Sequence, residues 1–237
     1  MAKQEETAKV EIQEFDINKF KNETVSVFEK YKKLVMIVGL SLTVIIGGLL
    51  FYYIGYLGPK EKKASEEIFM AEQYFSRDSF QLALTGRNLV GQQGNFTGLL
   101  DLAKKYGSTK SGNRANFLAG ASLLQTGKFK ESLGYLNKFS TGDAVMQAQA
   151  YAMIGDANAE LQNFPESLKY YLKAANHSSN EVTTPIHLRK AAFVLGEQMK
   201  KPEEALKHLN RIKTEFPKAY NLLMMDVDKD IARYSVK

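Results

Sequence analysis

Two segments of the chain repeat each other at a fixed interval: TGKFKESLGYLNKF begins at Thr126 and QNFPESLKYYLKAA at Gln162. Six pairs of identical residues lie 35 positions apart, namely Gly120 and Gly155, Phe129 and Phe164, Glu131 and Glu166, Ser132 and Ser167, Leu133 and Leu168, and Tyr135 and Tyr170. Internal similarity at a period of about 20 to 50 residues is typical of proteins built from stacked structural units, none of which can bury its apolar face alone. The repeat therefore predicts an array of units rather than one irregular core.

The repeated segments predict pairs of helices. In the second helix of each pair a small residue recurs, as Ser132, Ser167 and, in a third copy, Ala205. A small side chain there lets two antiparallel helices approach to the lower end of the usual spacing of about 8 to 10 Å. We therefore expect an all-α chain, with helical hairpins near 64–106, 113–140, 148–175 and 186–217 and a capping helix at 218–235.

Two places interrupt the rhythm of the helices. Residues 85–98 are too rich in glycine to continue a helix, so they predict an inserted loop before a helix at 99–106. Residues 176–185 are polar and predict a second loop. Long loops in compact domains are often functional or mobile, and an ordinary insertion in a repeat array is the equally open alternative.

Residues 34–57 contain no charged side chain over 24 positions. A helix of this length can cross a hydrocarbon core of about 30 Å. A cleaved signal peptide and the core helix of a soluble domain are the competing interpretations. A long polar leader precedes the segment, and Tyr52, Tyr53 and Tyr56 lie near its end, where tyrosine suits a membrane interface. The pattern favours a retained anchor with a single span.

The span divides the chain into a leader, 1–33, an anchor, 34–57, and a repeat domain, 58–237. Seven lysines balance seven acids in the leader, so the net charge of +6 belongs to the rest of the chain. Lysines crowd both ends of the span and do not decide its orientation. A short leader usually stays inside, which predicts a cytoplasmic N-terminus and an exported C-terminal domain. The leader itself is either an amphipathic helix on the membrane surface or a solvated tail.

The composition offers little reactive chemistry. The chain has no cysteine, and its three histidines are scattered without zinc-ligand spacing. No glycine-rich phosphate loop follows a strand pattern, and the lysines are interspersed with acids as on a solvated helix face. We therefore expect no catalytic residues, no metal, no cofactor and no nucleic acid. The remaining function class is protein binding.

The hairpin pattern resembles the tetratricopeptide repeat, a helical hairpin of about 34 residues. Tyr151 to Ala174 matches the family's motif of aromatic, Leu-Gly, aromatic, small and aromatic positions, and a copy from Asn116 matches it with Asn116 in place of an aromatic residue. A degenerate copy precedes these, and a last copy keeps Ala205 and Pro217. The resemblance covers residues 64 to about 217 and implies an α-solenoid of stacked hairpins.

The same resemblance implies a protein-binding groove lined by the first helix of each unit. Its positions in this chain are Ile68, Glu72, Phe75, Arg114, Phe117, Ala121, Leu124, Gln149, Ala152 and Asp156. Some family members grip a terminal carboxylate with lysine and asparagine at such positions. This chain has Phe117, Ala121, Met153 and Asp156 there, so that clamp is absent.

The order of leader, single span and exported repeats resembles the YfgM-like ancillary subunits of the bacterial Sec translocon, as does the ending RIKTEFPKAYNLLMMDVDKDIARY. The resemblance implies a non-enzymatic scaffold at the bacterial inner membrane, with its repeat domain in the periplasm. It would bind translocon subunits, a membrane-anchored chaperone and exported clients. The alternative within the same class is an envelope assembly or cell-division coordinator, and a hydrolase hidden in the loops is the rival from another class.

The span carries small residues every four positions, at Gly39, Thr43 and Gly47. Such a stripe lets a second helix come close inside lipid, where packing and weak hydrogen bonds drive association. Glycine is also common in membrane spans without any such role. The stripe is therefore a candidate contact with a partner's transmembrane helix.

Overall fold

A computed structural model gives the fold of residues 17–87, 96–177 and 179–235. These residues are helical apart from short connections, and they contain no β-strand, which confirms the all-α prediction. The chain divides into two compact units, Met1–Tyr56 and Leu57–Lys237.

The first unit is dominated by α1, Ile17–Leu50, which is followed by a π-helical segment, Phe51–Leu57. The most apolar 18-residue window of this N-terminal helical stretch has a mean hydropathy of 2.6, and none of it is buried. The chain thus has a helix near its N-terminus that is long and apolar enough to cross a membrane. Residues 1–16 of the leader lie outside the described residues, and residues 17–33 form the first part of α1.

The second unit is a succession of helices joined by short turns. They are α2, Gly58–Phe75; α3, Phe80–Thr85; α4, Leu99–Tyr106; α5, Lys110–Gln125; α6, Phe129–Leu136; α7, Ala144–Glu160; α8, Phe164–His177; α9, Thr184–Phe193, continued by a π-helical segment, Val194–Gln198; α10, Pro202–Glu215; and α11, Pro217–Ser235. Each of α2, α5, α7 and α9 packs against the helix that follows the next turn, and α11 packs against α10.

Four of these hairpins turn in the same way. In each one a residue with a positive φ, between +55° and +75°, lies five positions before a small residue that is fully buried. The pairs are Asp78 and Ala83, Gly127 and Ser132, Gln162 and Ser167, and Lys200 and Ala205. A left-handed residue reverses the chain, and the small residue then lets the second helix lie close to the first.

A backbone hydrogen bond closes each of these turns. The N–H of Ser79, Lys128 and Asn163 donates to a carbonyl five residues earlier at 2.8 to 2.9 Å. In the fourth hairpin Lys201 donates to Leu195, six residues earlier, at 2.8 Å. The extra residue belongs to the π-helical segment Val194–Gln198, because a π-turn accommodates one more residue than an α-turn.

Glycines permit the closest helix crossings. A Cβ added to Gly120 would lie 2.5 Å from Leu136 Cγ, and one added to Gly155 would lie 2.7 Å from the ring of Tyr171. Leu136 and Tyr171 are themselves buried, at 1% and 4% exposure. No side chain larger than hydrogen therefore fits at Gly120 or Gly155 without moving its neighbour.

The apolar interior of the second unit is divided. One core takes its buried residues from α2 to α7, and a second takes them from α8 to α11. A third, small cluster of Tyr171, Ala191 and Val194 joins α8 to α9 and the π-helical segment. The ring of Tyr171 also lies against Gly155 of α7, so α8 contacts both halves.

Candidate binding groove

Two of the predicted groove residues are part of the core. Ile68 is 4% exposed, and Phe117 is 8% exposed, with its ring centroid 4.9 Å from that of Phe139. Ala121 and Ala152 are buried as well. The resemblance to the tetratricopeptide repeat placed these four residues in a groove, but their side chains pack in the interior instead of facing solvent.

Other predicted positions lie nearer the surface. Glu72 of α2 and Arg114 of α5 form an ion pair with 2.8 Å between Oε1 and Nε, without the alignment of a hydrogen bond. Burial raises the pKa of Glu72, against the opposing effect of Arg114. Phe75 stacks edge-on against Phe80, Leu124 is half-buried, and Gln149 is exposed. The structure thus brings Glu72 and Arg114 together and leaves Gln149 apart from them.

Asp156 of α7 is the predicted residue with the richest surroundings. Its Oδ1 accepts a hydrogen bond from the hydroxyl of Tyr171 on α8 at 2.7 Å. Lys190 Nζ of α9 donates to both oxygens, at 2.7 and 2.9 Å. Burial, together with the nearby Asp156 carboxylate, raises the pKa of Tyr171. One carboxylate therefore ties three helices together.

The neighbouring cations on the same side are also neutralised by acids. Arg189 of α9 donates to Asp230 at 2.7 Å and to Asp226 at 3.2 Å, both on α11. Arg233 of α11 pairs with Glu197 at 3.4 Å. Since these charged groups already have partners inside the chain, they hold α9 and α11 in place more than they offer free charge to a ligand.

Two large apolar side chains of this region remain exposed. Ile186 and Phe193, seven positions apart on α9, are 45% and 50% exposed. Both border a cavity of about 430 Å³, and Phe193 also borders an adjoining cavity of about 610 Å³. The two cavities have Lys190 and Phe193 in common. The first cavity is completed by Arg189 and residues of α11, and the second by Tyr171 and residues from the end of α7 through α8. We refer to Ile186, Lys190 and Phe193 with these two cavities as the α9 groove.

The α9 groove suits noncovalent binding better than catalysis. Its exposed apolar side chains and mostly neutralised charges match the usual lining of a recognition site, in which a few fixed polar groups orient an apolar ligand surface. Within the described residues, no cluster of three or more histidines and acids could hold a metal ion. His187 is buried, and neither of its ring nitrogens has a hydrogen-bond partner among the described residues, so its side chain faces the interior.

The sequence analysis did not predict the α9 groove. Advancing Ala152 and Asp156 by the 35 positions of the repeat gives His187 and Ala191, which are both buried. The turn residue Lys200 lies 38 positions after Gln162, so the fourth hairpin is longer than the repeat period, and a fixed period does not reach the exposed side of α9.

The predicted contact in the span lies on an exposed helix surface. Gly39, Thr43 and Gly47 are all exposed, and a Cβ added to either glycine would meet nothing within 4 Å. The hydroxyl of Thr43 donates to the carbonyl of Gly39 at 2.9 Å. The hydroxyl is thereby hydrogen-bonded within the helix, so the stripe could contact a second helix by close packing but not through a free hydroxyl donor.

Comparison of the chain with protein-family models, with curated proteins and with solved structures gave no match.

Proposed function

We propose that this protein is a membrane-anchored scaffold that binds a segment of another protein along the α9 groove. The observation that carries the proposal is the exposure of Ile186 and Phe193 beside two cavities whose charged residues are largely paired within the chain. These two exposed apolar side chains on a rigid helix can pack against the apolar side chains of a partner, but they have no group that could take part in a reaction.

The proposed architecture is a solenoid of tetratricopeptide-like hairpins. Its support is the shared turn: a left-handed residue, a closing backbone hydrogen bond and a buried small residue recur in four hairpins. Stacked units of this kind make extended binding surfaces because each unit contributes the same face. The α9 groove would be the C-terminal part of that surface, completed by α11.

The proposed location is the bacterial inner membrane, with the N-terminus in the cytoplasm and the repeat domain in the periplasm. The proposed partners are translocon subunits, a membrane-anchored chaperone and exported clients. This part rests on the resemblance to the YfgM-like subunits and on the apolar N-terminal helix. An envelope assembly or cell-division scaffold is the alternative, and the identity of the partner separates the two.

The absence of cysteine from the chain makes a site-specific experiment possible. A photo-crosslinker attached to Phe193→Cys in the full chain, expressed in membranes, would probe the groove. The matched control is Asn210→Cys, an exposed position on α10. We expect a defined protein adduct from position 193 and none from 210, and Ile186→Asp should abolish the adduct by placing a charge in the apolar contact.

The identity of the adduct distinguishes the levels of the proposal. A translocon subunit, an envelope chaperone or an exported chain would support the finer assignment, whereas a division or assembly protein would favour the alternative. No adduct at 193, or equal adducts at 193 and 210, would refute binding at the α9 groove.

The stripe in the span is proposed to contact a partner's membrane helix. Changing Gly39 and Gly47 to leucine would fill the surface that a second helix needs, since small residues allow the closest helix packing in lipid. Recovery of the partner from gently solubilised membranes should fall, while Val38→Leu with Ile45→Leu should leave it unchanged. Equal recovery from both double variants would confine recognition to the repeat domain.

A further inference from the structure

A second surface combines tyrosine rings with lysine ammonium groups on α6, α7 and α8. Lys173 Nζ lies 4.0 Å from the ring centroid of Tyr151 and 5.8 Å from that of Tyr170. Lys169 lies 5.6 Å from the Tyr170 ring, and Lys138, two residues after the end of α6, lies 5.4 Å from the Tyr135 ring. Tyr135 and Tyr170 occupy equivalent places in the two repeats. We refer to these six residues as the tyrosine–lysine face.

The charges of this face differ from those of the α9 groove. In the groove Arg189, Lys190 and Arg233 each have an acidic partner. On the tyrosine–lysine face, Lys138 and Lys173 form no ion pair with any described residue and contact tyrosine rings instead. Positive charge is therefore left available to a ligand on this face.

Acidic residues near the tyrosine–lysine face offset its positive charge more at one end than at the other. Glu166 pairs with Lys169 at 2.9 Å. Burial, together with the nearby carboxylates of Glu131 and Asp101, raises the pKa of the Tyr135 hydroxyl. Among the described residues no acid pairs with Lys173 on α8, so an anion would be held most strongly there.

The chemistry of the face fits a surface of lipid headgroups. A ring beneath an ammonium group restrains it while leaving its N–H donors free for a phosphate oxygen. Tyrosine has an apolar body and a polar tip, which suits the headgroup layer of a membrane, and lysine is attracted to anionic lipids there. A chain with a helix able to cross a membrane is anchored close to such lipids.

We propose that the tyrosine–lysine face binds the phosphate groups of anionic lipid headgroups, with Lys138 and Lys173 as the principal contacts. This interaction uses none of the residues that line the α9 groove and does not depend on a protein partner. It gives the domain a second attachment to the membrane beside its anchor.

The test uses the full chain held in phosphatidylcholine nanodiscs and mixed with separate vesicles. Vesicles that contain phosphatidylglycerol should bind the protein, binding should weaken as salt rises, and pure phosphatidylcholine vesicles should not bind. Each lysine near an anionic surface contributes about a fivefold change in partition, so Lys138→Gln with Lys173→Gln should weaken binding about 25-fold. Arginine at both positions should preserve it.

The control removes the same net charge on α11, which packs against α9 and α10, with Lys218→Gln and Lys229→Gln, both exposed. Charges away from the contact are largely screened by salt, so this pair should change binding by less than about twofold. Equal weakening by the two pairs, or binding without preference for phosphatidylglycerol, would overturn the proposal because net charge alone would then suffice.

A fluorescent reporter distinguishes a lipid from free phosphate. The chain contains no tryptophan, so Tyr170→Trp introduces a single emitter on the face. We expect its emission to shift with phosphatidylglycerol vesicles and to remain constant with sodium phosphate at the same phosphorus concentration. A shift of the same size with sodium phosphate would assign the face to the free anion and refute the lipid.

Discussion

Replacing Gly155 by alanine tests the helix crossing at the centre of the repeat domain. The added Cβ would lie 2.7 Å from both Cδ1 and Cε1 of Tyr171. Carbon atoms in favourable contact lie about 3.5 to 4.0 Å apart, so the ring would have to move by about 1 Å. It has little freedom to do so, because Tyr171 is 4% exposed and its hydroxyl is bonded to Asp156 at 2.7 Å.

The expected loss follows from three contributions. Overpacking typically costs about 1 to 3 kcal/mol. Displacing the ring weakens a hydrogen bond to a carboxylate, which contributes about 1.5 to 3 kcal/mol. Alanine is favoured over glycine inside a helix by about 1 kcal/mol, which offsets part of the loss. Taking about 2 kcal/mol for each of the first two terms leaves a net destabilisation of about 3 kcal/mol.

The matched control is Gly134→Ala in α6, where an added Cβ meets nothing within 4 Å. Only the helix preference acts there, so stability should rise by about 1 kcal/mol. For a domain of this size about 1 kcal/mol corresponds to roughly 2 to 4 °C in Tm. Thermal unfolding followed by circular dichroism should therefore show opposite shifts. A rise in Tm for Gly155→Ala similar to that of Gly134→Ala would refute the close crossing.

The remaining predictions concern a turn and a buried histidine. Lys200 has a φ of +55°, a conformation that costs a residue with a side chain about 1 to 2 kcal/mol. Lys200→Gly should therefore raise the free energy of unfolding, measured in urea, by up to about 1 kcal/mol. Gly127 also has a positive φ, so Gly127→Ala should lower the free energy of unfolding by about 1 kcal/mol. A fall for Lys200→Gly would contradict the turn geometry. Burial, assisted by Lys190, lowers the pKa of His187 below 6.5, so the unfolded chain takes up this proton first and stability is lost as pH falls below 6.5. The drop in Tm between about pH 7.5 and 5.5 should be smaller in His187→Gln than in the unaltered chain, and an equal drop would exclude His187 as a cause.

Much of the helix pattern could be predicted because it depends on local signals. Glycine-rich sequence ends before residue 99, and α4 lies at Leu99–Tyr106 as predicted. The small residues Ser132, Ser167 and Ala205, chosen for close helix approach, are all fully buried. Such positions tolerate only small side chains, so a small residue that recurs in the sequence directly indicates close helix packing.

The fourth hairpin and the α9 groove were harder to predict because the helical register shifts within the first helix of this hairpin. The π-helical segment Val194–Gln198 inserts a residue between the face of α9 and the turn at Lys200. A fixed repeat period does not include that inserted residue, so it could not predict which side of α9 faces solvent. Burial is likewise a collective property: the spacing placed Ile68 and Phe117 on the first helices without revealing that neighbouring helices cover them.

The division of the apolar interior into two cores affects how the protein opens. In stacked repeats each unit depends mainly on its neighbours, so segments can exchange their amide hydrogens in separate cooperative steps. Tyr171 of α8 lies against Gly155 of α7, so this residue connects the block formed by α2 to α7 with the block formed by α8 to α11. Tyr171 also lines the second cavity of the α9 groove. A partner bound in the α9 groove would suppress the opening of one block against the other. Binding of the partner would therefore also make the two blocks unfold more cooperatively.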